Sequence, residues 1–145
     1  MSPTLEILVV EDNDGDVEII QRTLCDAKDV ACNIAVTSNG AEALDLLFKR
    51  GSFAGATRPQ LILLDINMPR MDGKKFLEIM KSEPDLQAIP VIMFTSSQSP
   101  KDIRECYERH ANGYVVKPFN ITAYADALRQ IVHFWTSLGQ LPSFR

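Results

Sequence analysis

Four short apolar runs in this chain end on, or run straight into, residues able to do chemistry. "LEILVV" (5–10) is followed by Glu11 and Asp12, and "LILL" (61–64) by Asp65. "IPVIMFT" (89–95) ends on Thr95, and "NGYVVK" (112–117) ends on Lys117, with Pro118 next. Brought together, these side chains are three carboxylates, a hydroxyl and an ammonium. Three acids at one place repel and raise one another's pKa. A divalent cation relieves that repulsion, and a few hard oxygen ligands suit Mg²⁺ completed by water and a phosphate oxygen. Lys117 is a compact point charge suited to a phosphoryl oxygen, and Thr95 offers a hydroxyl to another. A carboxylate can itself attack a phosphoryl group. The set therefore reads as a phosphoryl acceptor centred on Asp65.

Whether the residues meet depends on the elements that carry them. A fifth apolar run, "ACNIAV" (31–36), joins the four above. In chain order the first (5–10), third (61–64) and fourth (89–95) runs are almost unbroken Val, Ile and Leu, as in strands covered on both faces. Between the runs, apolar residues recur at three- and four-residue spacing: Val17, Ile20, Leu24 and Ala27; Ala41, Leu44 and Leu47 or Phe48; Phe76, Ile79 and Met80; Ile103, Cys106 and Tyr107; Tyr124, Leu128 and Ile131. Asn39 with Glu42 reads as a capping box, Ser99 before Pro100 as an N-cap with Pro in the first turn, and Asp72 and Asn120 as further N-caps. Gly51 is expected to end the second helix. Five strand–helix alternations predict an α/β domain with a parallel sheet and helices on both faces. Ligands of such sheets sit beyond the carboxyl ends of the strands, where these residues stand.

The 145 residues fit one domain, with 46% hydrophobic and 23% charged residues. A net charge of −4 and the lack of any Lys/Arg run give no field toward nucleic acid or anionic lipid. No stretch approaches the ~18 apolar residues of a membrane span, and the N-terminus lacks the form of a signal peptide. Cys25, Cys32 and Cys106 are odd in number and without CxxC spacing, so they are expected as reduced thiols in a cytoplasmic protein, two of them in apolar packing.

Taken together, "VVEDN", "LLDINMPRMDG", "IMFTSS" and "YVVKPF" resemble, in order and spacing over roughly residues 5–130, the receiver domain of two-component response regulators. The resemblance implies a flavodoxin-like, doubly wound five-stranded parallel sheet of order 2-1-3-4-5. It implies that Asp65 is the phosphoacceptor. Glu11, Asp12, Asp65 and the backbone carbonyl of Asn67 would serve a Mg²⁺ ion, Glu11 through water. Thr95 and Lys117 would bind the phosphoryl oxygens, Tyr114 would be a switch aromatic moving with Thr95, and the Lys117–Pro118 bond would be cis. The donor would be a sensor histidine kinase, and the chain would catalyse only its own phosphorylation and slow dephosphorylation. More narrowly, "ALDLLFKRG", "NGYVVKPFNITAY" and "VHFWTSLGQLP" resemble single-domain regulators that partner phytochromes. On that reading residues 1–135 are the receiver domain and 136–145 an extension. The fourth helix, fifth strand, fifth helix and a tail with Phe134 and Trp135 would pair two copies in a homodimer.

Other readings compete. An acid after a strand commonly begins a turn, and Glu11 and Asp12, like Asp14 and Asp16, suit a helix N-terminus. An EF-hand reading of "DNDGD" fails, because Val17 and Thr23 stand where the loop needs Gly and a bidentate Glu. His110 and His133 lack partners at metal spacing. Phe134, Trp135 and Phe144 suit either packing or an interface between copies. A phosphatase working through an aspartyl-phosphate would need a second acid two residues after Asp65, where Asn67 stands. A flavin module would need an uncharged loop after the first strand, and "EDNDGD" is acidic. A degenerate receiver acting as an interaction module would be expected to have lost site residues.

Overall fold

The structure, a computed structural model, describes residues 4–26 and 31–142. Five strands form one parallel sheet: β1 (Leu5–Val10), β2 (Cys32–Thr37), β3 (Leu61–Leu64), β4 (Val91–Thr95) and β5 (Gly113–Val116). Their spatial order is β2-β1-β3-β4-β5, the order expected. The helices between them are α1 (Asp14–Cys25), α2 (Gly40–Leu47), α3 (Gly73–Ser82), α4 (Pro100–Glu108) and α5 (Ile121–His133). A short 3₁₀ turn spans Gly51–Phe53, and a π-helical turn, Phe134–Leu138, follows α5 directly.

The sequence pattern accounts for the layers. β3 and β4 are buried along their whole length and β1 nearly so, as befits central strands covered on both faces. Alternation then sorts their side chains. Leu8, Val10, Ile62, Leu64, Val91 and Met93 pack with α2, α3 and Cys106 of α4, whereas Ile7, Val9, Leu61, Leu63, Ile92 and Phe94 pack with α1 and α5. Trp135 and Leu141, beyond α5, pack on the second of these clusters. Cys106 is buried in the first and Cys32 packs against the second, while Cys25 is exposed.

All four N-caps read from the sequence form. Asn39 accepts from the Glu42 amide, Asp72 from Lys75, Ser99 from Asp102 and Asn120 from Ala123. Two local expectations fail. The second helix ends at Leu47, short of Gly51, because the chain turns through positive φ at Lys49 (56°) and Arg50 stacks on the Phe48 ring at 4.5 Å. The Lys117–Pro118 bond is trans, in line with the usual preference of X–Pro bonds. Ala27 and Phe144 lie outside the described residues.

Two residues fix how the helices meet the sheet. Gly73, the first residue of α3, donates its N–H to the Ile66 carbonyl at 2.8 Å. A Cβ here would fall 2.0 Å from the Asp65 carbonyl oxygen, so α3 can abut the end of β3 only with glycine. At the other end of α3, the Lys81 ammonium donates to the carbonyls of Gln87 (3.0 Å) and Ile89 (2.8 Å) and to Asn112 Oδ1 (3.1 Å). Asn112 Oδ1 also accepts from the Val91 amide, so Lys81 ties α3 to the starts of β4 and β5. Burial among neutral acceptors pushes its pKa down to about 8.

Gly73→Ala is expected to lose about 1–3 kcal/mol by urea unfolding. Gly55→Ala, in open space, should stay within about 0.5 kcal/mol of the parent. Lys81 binds fewer protons folded than unfolded between about pH 8 and its ordinary pKa of 10.5. Its contribution to stability therefore grows as pH rises through that window. The stability difference between the parent and Lys81→Met should grow in the parent's favour from pH 8 to 10, measured by urea unfolding at each pH.

Candidate phosphoryl-acceptor site

The strand register delivers the side chains named from the sequence. Val10 of β1 pairs with Leu64 of β3, and Thr95 of β4 with Val116 of β5. Glu11, Asp65 and Lys117 are each the next residue out. Ladder bonds pin their backbones: Glu11 N to Thr37 O (2.9 Å), Asp65 N to Val10 O (3.1 Å) and Lys117 N to Thr95 O (2.7 Å). Continuing the alternation of each strand puts Glu11, Asp65 and Lys117 on the α1/α5 side of the sheet. Thr95 and Tyr114 continue the α2/α3/α4 side.

Lys117 is the hub. Its Nζ lies 2.5 Å from Glu11 Oε1, 3.2 Å from Asp16 Oδ2 and 3.3 Å from Asp65 Oδ2. Only 7% of its side chain is exposed, and 3% of that of Glu11. Burial pushes Glu11 up to about 7, against the opposing bond from Lys117 and with the Asp65 charge adding to the rise. Burial also works against the charged form of Lys117. The Glu11 bond and the charges of Asp65, Glu11 and Asp16 outweigh it and hold the ammonium above its ordinary range. Asp65 Oδ1 accepts from the Ile66 amide at 2.7 Å, which leaves Oδ2 toward Lys117.

Glu11, Asp12 and Asp65 each offer a carboxylate oxygen within 4.8 Å of the others, the one group of three or more potential ligands among the described residues. Glu11 is buried and Asp12 exposed, so the cluster is anchored within and open to solvent without. Hard oxygens in negative excess beside a buried acid raised to about 7 fit a divalent cation, which would restore full ionisation. Asn67 is exposed in the turn after Asp65. Thr95 is buried, its Oγ1 accepting from the Ser97 amide at 3.4 Å. Tyr114 donates its hydroxyl to the Ser97 carbonyl at 2.9 Å.

Three features escaped the sequence reading. Asp16, taken as a helix N-terminal acid, reaches Lys117. Tyr124, taken as one residue of a helix face, donates to Asp16 Oδ1 at 2.6 Å. Lys74 of α3 bridges Asp102 (2.5 Å) and Glu105 (2.8 Å) of α4, and Ser97 Oγ donates to Asp102 at 2.5 Å. The one signal in the sequence for the last is the three-residue spacing of Asp102 and Glu105, which shares a helix face.

Residues 7–129 match the family described as the response regulator receiver domain. The chain belongs to that family. Receiver domains are signalling domains that bind a divalent metal, and phosphorylation-dependent signalling fits the site. The chain is 33% identical over 142 residues to response regulator Rcp1 of Synechocystis sp., covering 98% of this receiver and 96% of Rcp1. The crystal structure of the phosphorylated cyanobacterial phytochrome response regulator RcpA superposes with a TM-score of 0.93 at 37% identity, over 97% of this chain and all of RcpA. The Mn²⁺-bound form of Rcp1 gives 0.90 at 33% identity, over 96% and 99% of the two chains. Of these relatives, RcpA is described as a phytochrome response regulator.

Proposed function

We propose that this receiver takes a phosphoryl group from a sensor histidine kinase, one coupled to a phytochrome, onto Asp65 with Mg²⁺ as the cation. The observation that carries the reading is one juxtaposition: carboxylate oxygens of Glu11, Asp12 and Asp65 within 4.8 Å of one another, with the Lys117 ammonium 3.3 Å from Asp65 Oδ2. The Asp65 carboxylate forms the new O–P bond while the bond from phosphorus to the donor breaks. With an acyl phosphate, the electron pair of that bond leaves on the donor's carboxylate, and no proton need move. Mg²⁺ held by Glu11, Asp12 and Asp65, with the Asn67 carbonyl, would neutralise charge on the phosphoryl oxygens. Lys117 donates to one phosphoryl oxygen, and the Thr95 hydroxyl to another. Asn67 has no acid proton to give a leaving group, which disfavours turnover as a phosphatase.

Thr95 of β4 and Tyr114 of β5 both bond to Ser97, in the loop after β4. The Ser97 amide leans on Thr95 and the Ser97 carbonyl holds Tyr114. A hydroxyl drawn toward a phosphoryl group on Asp65 pulls this loop, and with it Tyr114 and the start of α4. The output is a symmetric homodimer through α4, β5, α5 and the tail, with residues 1–135 as the receiver and 136–145 as its extension. Support comes from exposed apolar side chains on that side, Tyr107, Phe134 and Leu138. Support comes also from a groove of about 380 Å³ beside edge strand β5, lined by Val115, Ala127, Ile131, Phe134 and Trp135. The cytoplasm suits such a phosphotransfer partner. No helix among the described residues is long and apolar enough to cross a membrane.

Incubation with Mg²⁺ and acetyl phosphate should add one phosphoryl group by intact mass, and Asp65→Asn should abolish the adduct. A parent protein that stays unmodified, or an adduct that survives the substitution, would overturn the assignment. By light scattering, the loaded protein should have twice the mass of one chain. Phe134→Asp with Leu138→Asp, which spares the core-packed Trp135, should return it to a single chain. An unchanged mass in that variant would remove the tail from the interface.

A further inference from the structure

The reading above gives no role to one of the three contacts of Lys117. Asp16 stands in the first turn of α1, outside the three-acid cluster, yet its Oδ2 is 3.2 Å from Lys117 Nζ. It is held from two other directions. Its amide donates to Asn13 Oδ1 at 2.9 Å, and its Oδ1 accepts from the Tyr124 hydroxyl at 2.6 Å. Tyr124, on α5, is only 5% exposed, and its ring packs edge-on against Phe94 with centroids 5.0 Å apart and planes at 79°. Burial, and then the bond to Asp16, keeps the phenolic proton in place well beyond the usual range, so Tyr124 acts as a fixed donor.

Donor counting gives this arrangement a purpose. An ammonium has three N–H bonds and no acceptor capacity. The three acceptors here are Glu11, Asp65 and Asp16. Glu11 and Asp65 belong to the acid cluster, so their oxygens have a second claimant in a cation or in the phosphoryl group itself. Asp16 has none. When Asp65 is loaded, it is the carboxylate that can keep its bond to Lys117 unchanged.

We propose that Asp16, fixed by Tyr124, is a positioning residue for phosphoryl loading: it occupies one N–H of Lys117 and thereby aims the other two at the oxygens of the group arriving on Asp65. The inference rests on Asp65 being the acceptor. It adds that the aim of Lys117 is set from α1 and α5, on the face of the sheet opposite Thr95 and Tyr114.

Tyr124→Phe tests this without changing any charge, and Asp16→Asn tests it without changing shape. In each, the rate of loading by acetyl phosphate at saturating Mg²⁺ should fall about tenfold, as expected for a misaimed group. The double variant should be no slower than the slower single one, because Tyr124 acts only through Asp16. Mg²⁺ affinity without any donor should stay within about twofold, since Asp16 lies outside the acid cluster. The Lys117 ammonium protons, followed by NMR on protein with ¹⁵N-labelled lysine, should exchange with water faster in both variants, a change that a merely structural role for Tyr124 would not produce. Parent-like loading by either folded variant, losses that multiply in the double variant, or an Mg²⁺ affinity that falls with the rate would overturn the proposal. Parent protein and Asp65→Asn run alongside: a parent that never loads refutes the acceptor assignment, whereas a parent that loads as fast as the two variants refutes only the role of Asp16.

Discussion

The ammonium of Lys117 lies almost fully buried among Glu11, Asp16 and Asp65, with Asp12 just outside. One positive charge cannot balance so many carboxylates, and burial makes the imbalance felt: Glu11 is driven up to about 7 even with Lys117 bonded to it. A site in this condition favours added positive charge, and a divalent cation is the simplest form of it. The same excess discourages a phosphate dianion from settling there without the cation. Affinity for metal and readiness for phosphoryl transfer would thus share one electrostatic cause, and among the described residues Lys117 alone is paired with these carboxylates.

The strands supply the geometry because they are rigid. β1, β3 and β4 have almost no exposed side chain between them, and their ladders run to the residue at which the site begins. Gly73 lets the start of α3 close against the Asp65 carbonyl, so the chain turns abruptly just beyond β3. What can move lies beyond the strand ends. The 95–97 loop is held by hydrogen bonds from Ser97 to Thr95 and Asp102 and from Tyr114 to Ser97. Lys74 joins the same Asp102 to α3. On the proposed function, a pull on Thr95 would meet a hydrogen-bonded chain with α4 on it, and a small displacement would become a change in the shape of one face.

The sequence made most of this legible because most of it is local. Unbroken apolar runs, three- and four-residue spacing and side-chain caps depend on neighbours within a turn or two, and the strands and all four caps formed where the pattern put them. The acids at positions 11, 12 and 65 and Lys117 were legible through the rule that parallel strands present their carboxyl ends together. Asp16 and Tyr124 were not, since their bond joins residues 108 positions apart, and each has a sufficient local explanation, one as a helix N-terminal acid and the other as an apolar stripe. The second helix ended early for a similar reason. Gly51 was the residue best suited to a left-handed turn, but Lys49 took positive φ first while Arg50 covered the Phe48 ring, a contact between side chains that no single-residue preference encodes.

Alternation along β5 ties these observations together. Tyr114 and Lys117 are three residues apart, an odd number, so a strand must send them to opposite sides of the sheet. Tyr114 packs against the α2/α3/α4 cluster, while Val115, of the same parity as Lys117, packs against the α1/α5 cluster. The ammonium therefore has to be oriented from α1 and α5, and Asp16 and Tyr124 stand there. The hydroxyl of Thr95, of the other parity, has to report toward α4, and the Ser97–Tyr114 bond stands there. A site at the edge of a two-sided sheet is in this way divided by its own backbone. On the proposed function, one face would hold the charge that receives the phosphoryl group, and the other would carry the groups that move when it arrives.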